Sequence, residues 1–357
     1  MGRCSVTEAR RIRVLVVDDS AIVRKVLSEA LAQEPDIEVV GTAPDPYVAR
    51  DKILALSPDV LTLDIEMPRM DGLTFLKKVM QHHPLPVIVI SSLGQASSRA
   101  AIEALANGAV EVMCKPGGPY SVGELTRTLA EKVRAAAAAR IRTVVRSGNG
   151  VCAALPAAPA AHPGSFRQST VIAIGASTGG TEAIAAVLKE LPPAVPGIVI
   201  TQHIPAGFSA AFANRLNQIC QIEVKEAVDG DRVQPGRALV APGNFHMFLR
   251  RAPQGYTVAV KTGPRVCYQR PSVDVLFTSV AEVAKSDAVG VILTGMGSDG
   301  ADGLLKMKTA GAYTIAQDEA TCVVFGMPRE AIRNGSIQLV APLSKVAAAI
   351  LSSVSRA

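Results

Sequence analysis

Five polar residues in the first third of the sequence stand where predicted β-strands end, and their types suit phosphoryl chemistry. They are Asp18 and Asp19 after the first strand, Asp64 after the third, Ser91 after the fourth and Lys115 after the fifth. The carboxyl ends of parallel strands lie along one edge of a sheet, so these side chains are expected to converge. Clustered carboxylates repel each other unless a cation neutralises them, and oxygen ligands suit Mg²⁺. The spacing therefore predicts an acidic, magnesium-binding pocket.

A carboxylate held beside Mg²⁺ can attack a phosphoryl donor and form an acyl phosphate. In that reaction Lys115 would pair with the phosphoryl oxygens as a point charge, and Ser91 would donate a hydrogen bond to them. The alternative is that the aspartates merely cap strand ends. That alternative would suit one aspartate, whereas five matched positions favour a phosphoacceptor site.

A serine in the second half of the sequence has the surroundings of a nucleophile. Ser177 lies in the segment GASTGG (175–180), between a predicted strand and a predicted helix. A serine on such a sharp turn is exposed above the sheet, close to helix N–H groups that can stabilise an oxyanion. Three alternatives remain at this point: a helix cap, a phosphate-binding loop or an accidental match to G-x-S-x-G.

Two further residues can complete a catalytic triad with this serine. His203 follows the apolar segment Ile198–Thr201, and Asp299 follows Val289–Leu293. All three residues thus stand beyond strand ends on the same edge of one sheet. Ser177 would be the nucleophile and His203 the general base, while Asp299 would fix the tautomer of the imidazole and stabilise its charged form.

The order of these residues argues against one common class of hydrolase. The chain runs Ser, His, Asp, whereas α/β-hydrolases run Ser, acid, His, so an ordinary lipase or esterase is disfavoured. Single residues also have simpler interpretations. Asp299 could cap the helix that follows it, and His246 is interpreted as structural.

Alternating apolar strands and amphipathic helical segments organise the first domain as α/β. Its five strands, separated by helices, predict a parallel doubly wound sheet. The last helix is expected to open with a capping box at Ser121 and Glu124 and to continue through the segment RAAAAAR. The predicted strands are Ile12–Val17, Ile37–Thr42, Val60–Leu63, Val87–Ile90 and Val110–Met113.

A second α/β domain follows a linker. Residues 147–168 are rich in Pro, Ala and Gly and lack periodicity. We expect domains at 11–127 and 169–354, with a helical extension and linker over 128–168, and a doubly wound second domain with a small antiparallel hairpin. Strands are predicted at 170–175, 197–202, 237–242, 289–294 and 312–316, and the hairpin at 245–250 and 256–261.

The composition is that of a two-domain globular protein. The chain has 357 residues, of which 48% are hydrophobic and 19% charged, and its formal charge is +6. No apolar run is long enough to cross a bilayer, and no apolar core of signal-peptide type follows the basic N-terminus. We therefore expect a cytoplasmic protein without membrane insertion. Six scattered cysteines without C-x-x-C spacing predict reduced thiols and no metal site.

The motifs of the first domain, VLVVDDS, LTLDIEMPRMDG, VIVISS and CKP, resemble the receiver family of response regulators. The resemblance implies Asp64 as the phosphoacceptor, with Asp18, Asp19 and the backbone carbonyl of Glu66 around Mg²⁺. Many receivers carry an aromatic switch residue three positions before the lysine. Here that position is Val112, so signalling through rotation of an aromatic ring is not expected.

The motifs of the second domain resemble the chemotaxis protein-glutamate methylesterases, the CheB family. The resemblance implies the triad roles for Ser177, His203 and Asp299, and the backbone N–H groups of Met296 and Thr178 as oxyanion donors. With the receiver and linker it spans nearly the whole chain. The motifs are GASTGG, TQHIP, APGNFHM, QRPSVDVLF, LTGMGSDG and FGMPREA.

The resemblance implies a phosphorylation-activated hydrolase in chemotaxis. Its substrates would be γ-glutamyl methyl esters of methyl-accepting chemoreceptors, with release of methanol, and specific receptor glutamines would be deamidated. A chemotaxis histidine kinase would be the phosphodonor, Mg²⁺ would serve only receiver phosphorylation, and the protein would be monomeric. The unphosphorylated receiver is expected to cover the Ser177 edge, and phosphorylation of Asp64 to uncover it.

Two other functions remain open from the sequence. The chain could be a non-enzymatic, phosphorylation-gated adaptor, or a hydrolase of the same family in another signalling pathway. A DNA-binding response regulator is disfavoured because the second domain has a sheet-based pattern and no recognition-helix module, so no nucleic-acid partner is expected.

Overall fold

The computed structural model describes residues 10–92, 94–115, 122–141, 166–167 and 169–355. The chain forms two compact units, Met1–Ile141 and Arg142–Ala357. The predicted capping box of Ser121 with the Glu124 side chain, and most of the predicted linker, lie outside the described residues. In the described part of the chain, no helix combines the length and apolar character needed to span a bilayer.

The first unit is an α/β domain around a parallel five-stranded sheet of order β2-β1-β3-β4-β5. Its strands are β1 (Ile12–Val17), β2 (Ile37–Ala43), β3 (Val60–Asp64), β4 (Val87–Ser91) and β5 (Glu111–Cys114). Its helices are α1 (Ala21–Ala32), α2 (Pro46–Leu56), α3 (Gly72–His82), α4 (Gln95–Ala106) and α5 (Val122–Ala137). The predicted parallel, doubly wound sheet is confirmed, although α5 ends inside the Ala-rich segment.

Polar caps begin the helices that follow the strands of this sheet. The side chains of Ser20, Asp45 and Asp71 accept hydrogen bonds from backbone N–H groups in the first turns of α1, α2 and α3. A capping side chain satisfies N–H groups that have no partner within the helix. Strands β3 and β4 are buried along their whole length, as expected for a sheet covered on both faces.

The second unit contains a seven-stranded sheet of order β15-β14-β13-β6-β7-β10-β8 and a three-stranded antiparallel sheet of order β11-β12-β9. The strands are β6 (Val171–Ala176), β7 (Gly197–Gln202), β8 (Glu223–Glu226), β9 (Arg232–Val233), β10 (Arg237–Val240), β11 (His246–Ala252), β12 (Gly255–Lys261), β13 (Ala288–Ile292), β14 (Tyr313–Gln317) and β15 (Leu339–Ala341). The helices are α6 (Gly180–Lys189), α7 (Ser209–Ile219), α8 (Val273–Val283), α9 (Ala301–Thr309), α10 (Met327–Arg333) and α11 (Leu343–Val354).

The predicted doubly wound sheet of the second domain and its hairpin are confirmed, and the structure adds strands β8, β9 and β15. Their sequences explain why the pattern did not reveal them. Strand β8 reads EVKE, and β9 and β15 contain only two and three residues. Short strands at a sheet edge, with charged or half-buried side chains, lack the apolar run that distinguishes a strand from a loop.

The winding of this sheet places a crevice beside its central strand. The chain leaves β6 toward β7 on one side and later returns to β13 on the other side of β6. Ligands of doubly wound sheets bind beyond the carboxyl ends of the strands at such a switch point. The residues that follow β6, β7 and β13 therefore share one crevice.

Helix α8 packs unusually close to the central strand, and glycine makes this possible. A Cβ atom added to Gly175, in β6, would lie 2.2 Å from Cγ1 of Val273, the first residue of α8. Any larger residue would push the helix away. The N-terminus of α8 is thereby fixed next to the crevice.

Candidate active site and phosphoacceptor site

The structure brings the three predicted carboxylates of the receiver unit together. Asp18, Asp19 and Asp64 each offer an oxygen within 4.8 Å of the others. Asp18 and Asp64 are buried, whereas Asp19 is exposed. Oδ2 of Asp18 is buried and has no hydrogen-bond partner among the described residues. This set of hard oxygen donors, one of them unsatisfied, fits Mg²⁺.

Lys115 joins two members of this cluster. Its Nζ lies 2.7 Å from Oδ2 of Asp64 and 3.1 Å from Oδ2 of Asp18, although the second contact lacks hydrogen-bond geometry. Burial lowers the pKa of Lys115, but the hydrogen bond and charge of Asp64, together with the charge of Asp18, raise it above its usual value. Lys115 is therefore a permanent cation beside Asp64, the predicted phosphoacceptor, as its own predicted role requires.

Burial dominates the electrostatics of the predicted phosphoacceptor. Burial raises the pKa of Asp64, Lys115 lowers it and the charge of Asp18 raises it, and together these effects place it at about 6. Burial also raises the pKa of Asp18. Two neighbouring carboxylates that each favour protonation are a destabilising arrangement, which a bound cation would relieve.

Glu66 and Ser91 occupy the neighbouring loops. The Glu66 N–H donates to Oδ1 of Asp64 at 3.1 Å, and the Glu66 carboxylate accepts hydrogen bonds from the hydroxyls of Ser92 and Ser97. Ser91 ends β4 as predicted, and its buried hydroxyl makes two long contacts, 3.4 Å to the Ser97 carbonyl and 3.5 Å to the Ser92 carbonyl. Val112 is buried within β5. The structure thus links the two loops through the side chain of Glu66, which the sequence did not suggest.

The receiver unit is expected to lose stability as pH rises from about 4 to about 7 in the presence of EDTA. Because the folded pKa of Asp64 is about 6 and its usual value is 3.8, the folded state binds more protons than the unfolded state between these values. The free energy of unfolding should therefore fall through this window, by at most about 3 kcal/mol from Asp64 alone. Urea denaturation of the full chain at several pH values measures the effect.

The control for this experiment is Asp64→Asn, which cannot titrate. Its stability should vary less with pH than that of wild type, because the contribution of Asp64 is removed while those of Asp18 and Asp274, whose pKa values are also raised, remain. Adding Mg²⁺ at pH ~8 should increase the free energy of unfolding of the wild-type protein, because a ligand that binds the folded state stabilises it. The increase should be smaller for Asp64→Asn. Identical pH profiles for the two proteins would contradict the raised pKa of Asp64.

In the second unit, Ser177 stands in the crevice directly after β6. Its backbone N–H donates to the Thr294 carbonyl at 3.0 Å, which ties it to the loop after β13. The Ser177 carbonyl accepts from the N–H of Gly180, the first residue of α6, at 2.7 Å. The neighbouring cap residue, Gly179, has a φ of 74°, in the left-handed region that favours glycine. These contacts form the predicted strand-turn-helix.

The structure also brings His203 and Asp299 together. The His203 N–H donates to the Ala176 carbonyl at 3.0 Å, which aligns His203 with the residue before Ser177. Nε2 of His203 lies 2.7 Å from Oδ2 of Asp299 within a buried pair. Nδ1 of His203 is buried and has no hydrogen-bond partner in the described part of the chain.

These contacts define which imidazole nitrogen is basic. Burial raises the pKa of Asp299, but the hydrogen bond and charge of His203 and the backbone hydrogen bonds of Asp274 and Val273 outweigh it and hold the pKa below its usual value. Asp299 is therefore a carboxylate that accepts the proton of Nε2. Nδ1 is left with a free lone pair, as a general base needs.

Asp299 does not cap the helix that follows it, which was the simpler interpretation. The N-cap of α9 is Gly300, which makes no side-chain cap. The Asp299 carboxylate instead lies at the N-terminus of the earlier helix α8, where it accepts hydrogen bonds from the backbone and side-chain donors Val273 N–H (2.7 Å), Asp274 N–H (3.0 Å) and Ser272 Oγ (2.8 Å). Helix N-termini stabilise negative charge. No sequence signal pointed to α8, because these donors precede Asp299 by more than twenty residues.

Gln202 and Thr294 are further polar residues of the site that sequence reasoning missed. The buried Gln202 amide donates to the carbonyls of both Ser177 (2.8 Å) and His203 (3.1 Å). The Thr294 hydroxyl donates to the Thr178 carbonyl at 3.0 Å. A polar residue at the end of an otherwise apolar strand was the available signal in both cases. Together these bonds hold the loops after β6, β7 and β13 in register.

The two predicted oxyanion donors lie on loops of the same crevice. Thr178 follows Ser177 and is buried, whereas Met296 lies in the loop after β13 and its side chain is 38% exposed. A Cβ on Gly295, which precedes Met296, would lie 2.7 Å from the Ser177 Cβ. The segments that carry the two residues thus adjoin Ser177, and the role of their N–H groups stays a prediction.

An acidic receiver pocket and a doubly wound sheet with Ser, His and Asp at its switch point define a response regulator with a hydrolase-type output domain. The family model for the response regulator receiver domain matches residues 14–127, and that for the CheB methylesterase matches residues 172–350. The chain belongs to the CheB methylesterase family.

Relatives of the whole chain agree with this assignment. A protein of Syntrophus aciditrophicus is 56% identical over 96% of this chain and 99% of its own length, and one of Salmonella choleraesuis is 52% identical over 97% of each. Both are named protein-glutamate methylesterase/protein-glutamine glutaminase. The crystal structure of the Thermotoga maritima CheB methylesterase catalytic domain is similar with a TM-score of 0.50 and 38% identity, over 51% of this chain and 97% of that chain.

Proposed function

We propose that this protein is a phosphorylation-activated serine hydrolase of chemotaxis. It removes methyl esters from glutamates of chemoreceptors, deamidates receptor glutamines and acts in the cytoplasm downstream of a histidine kinase. The observation that supports this most directly is the buried His203–Asp299 pair beside Ser177, in which Nδ1 of His203 has no hydrogen-bond partner among the described residues. The names of the full-length relatives support both activities.

The proposed reaction begins at the Ser177 hydroxyl. As Oγ attacks the ester carbonyl carbon, His203 Nδ1 takes its proton, and the Met296 and Thr178 N–H groups stabilise the negative oxygen. The C–O bond to the methoxy group then breaks, and the proton on Nδ1 leaves with methanol. Water, deprotonated by the same nitrogen, attacks the acyl carbon; the bond from that carbon to Ser177 Oγ breaks, Oγ takes the proton back from Nδ1, and the glutamate is released.

Deamidation uses the same groups on a glutamine side chain. The leaving group is then ammonia, which departs only after protonation, so the step depends more on His203 than ester cleavage does. Asp299 stabilises the imidazolium throughout, because it accepts the Nε2 proton without taking it.

Phosphorylation of the receiver regulates this activity. An Asp64 oxygen bonds to the phosphorus of a phosphohistidine while the P–N bond breaks, and Lys115 and Ser91 contact the transferred group. Asp18, Asp19, Asp64 and the Glu66 carbonyl would hold Mg²⁺, which neutralises phosphoryl charge. Activation by fivefold to a hundredfold needs a coupling free energy of only ~1–3 kcal/mol.

An assay of methanol release from a methylated chemoreceptor, with and without a small-molecule phosphodonor, tests this function. Release that increases with the phosphodonor is expected. A protein that docks the receptor but releases neither methanol nor ammonia would be an adaptor, and the proposed function would be wrong.

Asp64→Asn should remove activation by the phosphodonor while retaining basal methanol release. The asparagine cannot form an acyl phosphate, and no residue of the catalytic unit is altered. Asp51→Asn, an exposed carboxylate of α2 that pairs with Arg50, is the matched control and should be activated like wild type. If Asp64→Asn is activated as fully as wild type, phosphorylation of Asp64 is not the switch.

A further inference from the structure

Ser272 connects the acid of the triad to the rest of the catalytic unit. It is completely buried and is the N-cap of α8, where its hydroxyl accepts from the Val275 N–H at 3.4 Å. The hydroxyl proton is directed elsewhere, toward Oδ1 of Asp299 at 2.8 Å. One hydroxyl thus both starts the helix and donates to the triad carboxylate.

The backbone of Ser272 is anchored from the other side by His246. Nδ1 of His246 accepts from the Ser272 N–H at 3.2 Å, and Nε2 lies 2.9 Å from the Pro264 carbonyl, to which it donates. A neutral imidazole can donate at Nε2 and accept at Nδ1 at once. His246 begins β11, so the small antiparallel sheet carries the side chain that binds the backbone of Ser272. Ser272 in turn donates to Asp299.

Both oxygens of Asp299 are engaged, which fixes the plane of the carboxylate. Oδ2 receives His203 Nε2 and the Val273 N–H, while Oδ1 receives Ser272 Oγ and the Asp274 N–H. Among these donors, Ser272 Oγ is the one that a substitution can delete without touching the backbone or the triad itself.

We propose that Ser272 is a positioning residue for catalysis: its hydroxyl fixes the Asp299 carboxylate so that the imidazole of His203 presents Nδ1 to Ser177. The substrate named in this inference rests on the proposed function, whereas the effect of Ser272 on the reactivity of Ser177 does not. Losing a hydrogen bond to a charged group would let the carboxylate and imidazole reorient, and the rate of the chemical step would fall. The affinity for substrate would be unaffected, because the fully buried Ser272 side chain cannot contact the substrate.

The test compares three variants of the full chain. Ser272→Ala deletes the hydroxyl and the cap, and Ser272→Gly deletes the hydroxyl where glycine is still an acceptable N-cap. Ser279→Ala is the control in the same helix, because that buried hydroxyl donates to the Leu276 carbonyl and accepts from the Leu249 N–H without touching the triad.

Two readouts separate positioning from folding. The first is the rate at which a fluorophosphonate labels Ser177: the Oγ–P bond forms, fluoride leaves and His203 takes the proton, whatever the natural substrate. The second is kcat and KM for methanol release. Both Ser272 variants should lose about tenfold in labelling rate and in kcat, with KM changed less than about twofold.

Ser279→Ala should retain wild-type labelling and kcat even where its thermal stability is lowered as much as that of Ser272→Ala. Wild-type rates in Ser272→Gly, or an equal loss in Ser279→Ala, would overturn the proposal. Failure of wild type to release methanol while fluorophosphonate labelling still depends on Ser272 would instead overturn the proposed substrate and support the positioning role.

Discussion

Replacing Ser177 with alanine is expected to lower methanol release by about 10⁴-fold or more, because no acyl-enzyme can form. The structure makes this a clean experiment. The contacts of Ser177 with Thr294, Gln202 and Gly180 all use its backbone N–H or carbonyl, so the variant should fold like wild type. Methanol release from a methylated chemoreceptor, with excess phosphodonor, measures the loss.

Phosphorylation of the receiver provides the internal control for that experiment. Ser177→Ala should accept a phosphoryl group on Asp64 at the wild-type rate, since the phosphoacceptor pocket belongs to the other compact unit. The variant should also resist labelling by a fluorophosphonate. Retention of a tenth or more of wild-type methanol release would show that another residue is the nucleophile.

Asp299→Asn should lower kcat nearly as much as Ser177→Ala does. The reason lies in the hydrogen bonds that the Asp299 carboxylate accepts. Each carboxylate oxygen accepts two hydrogen bonds, so either orientation of an asparagine amide places its NH₂ group against two donors. The variant should lose about 10⁴-fold in kcat, because the His203 tautomer with a basic Nδ1 is no longer favoured. It should also lose about 1–3 kcal/mol of stability from unsatisfied buried donors.

The matched control is Asp302→Asn, which changes an exposed carboxylate three residues along the same segment. It should retain wild-type kcat and lose less than about 1 kcal/mol of stability, since its charge lies in the first turn of α9. An Asp299→Asn variant with more than about a tenth of wild-type kcat would mean that the Nε2 contact does not set the tautomer of His203.

Much of the fold could be predicted from local pattern. Long apolar runs between helices of apolar periodicity form the five strands of the receiver and the main strands around Ser177, His203 and Asp299. Residues adjacent in the chain produce this pattern, so it can be recognised from the sequence. Strands β8, β9 and β15 were missed because their pairing depends on a partner strand rather than on their own residues. The same limit applied to helix ends: the Ala-rich segment has strong helix propensity, yet α5 stops at Ala137.

The sequence by itself determined which side chains are available at the carboxyl edges of the two sheets. Asp64 and Ser177 could be located there because chain order and strand spacing place them at strand ends, whatever their neighbours are. Only the tertiary structure decided the contacts of those groups: Lys115 lies on two carboxylates, Nδ1 of His203 has no hydrogen-bond partner among the described residues, and the N-terminus of α8 and Ser272 hold Asp299. The physical reason is that hydrogen-bond direction and burial depend on atoms from segments far apart in the chain, whereas periodicity depends only on adjacent residues.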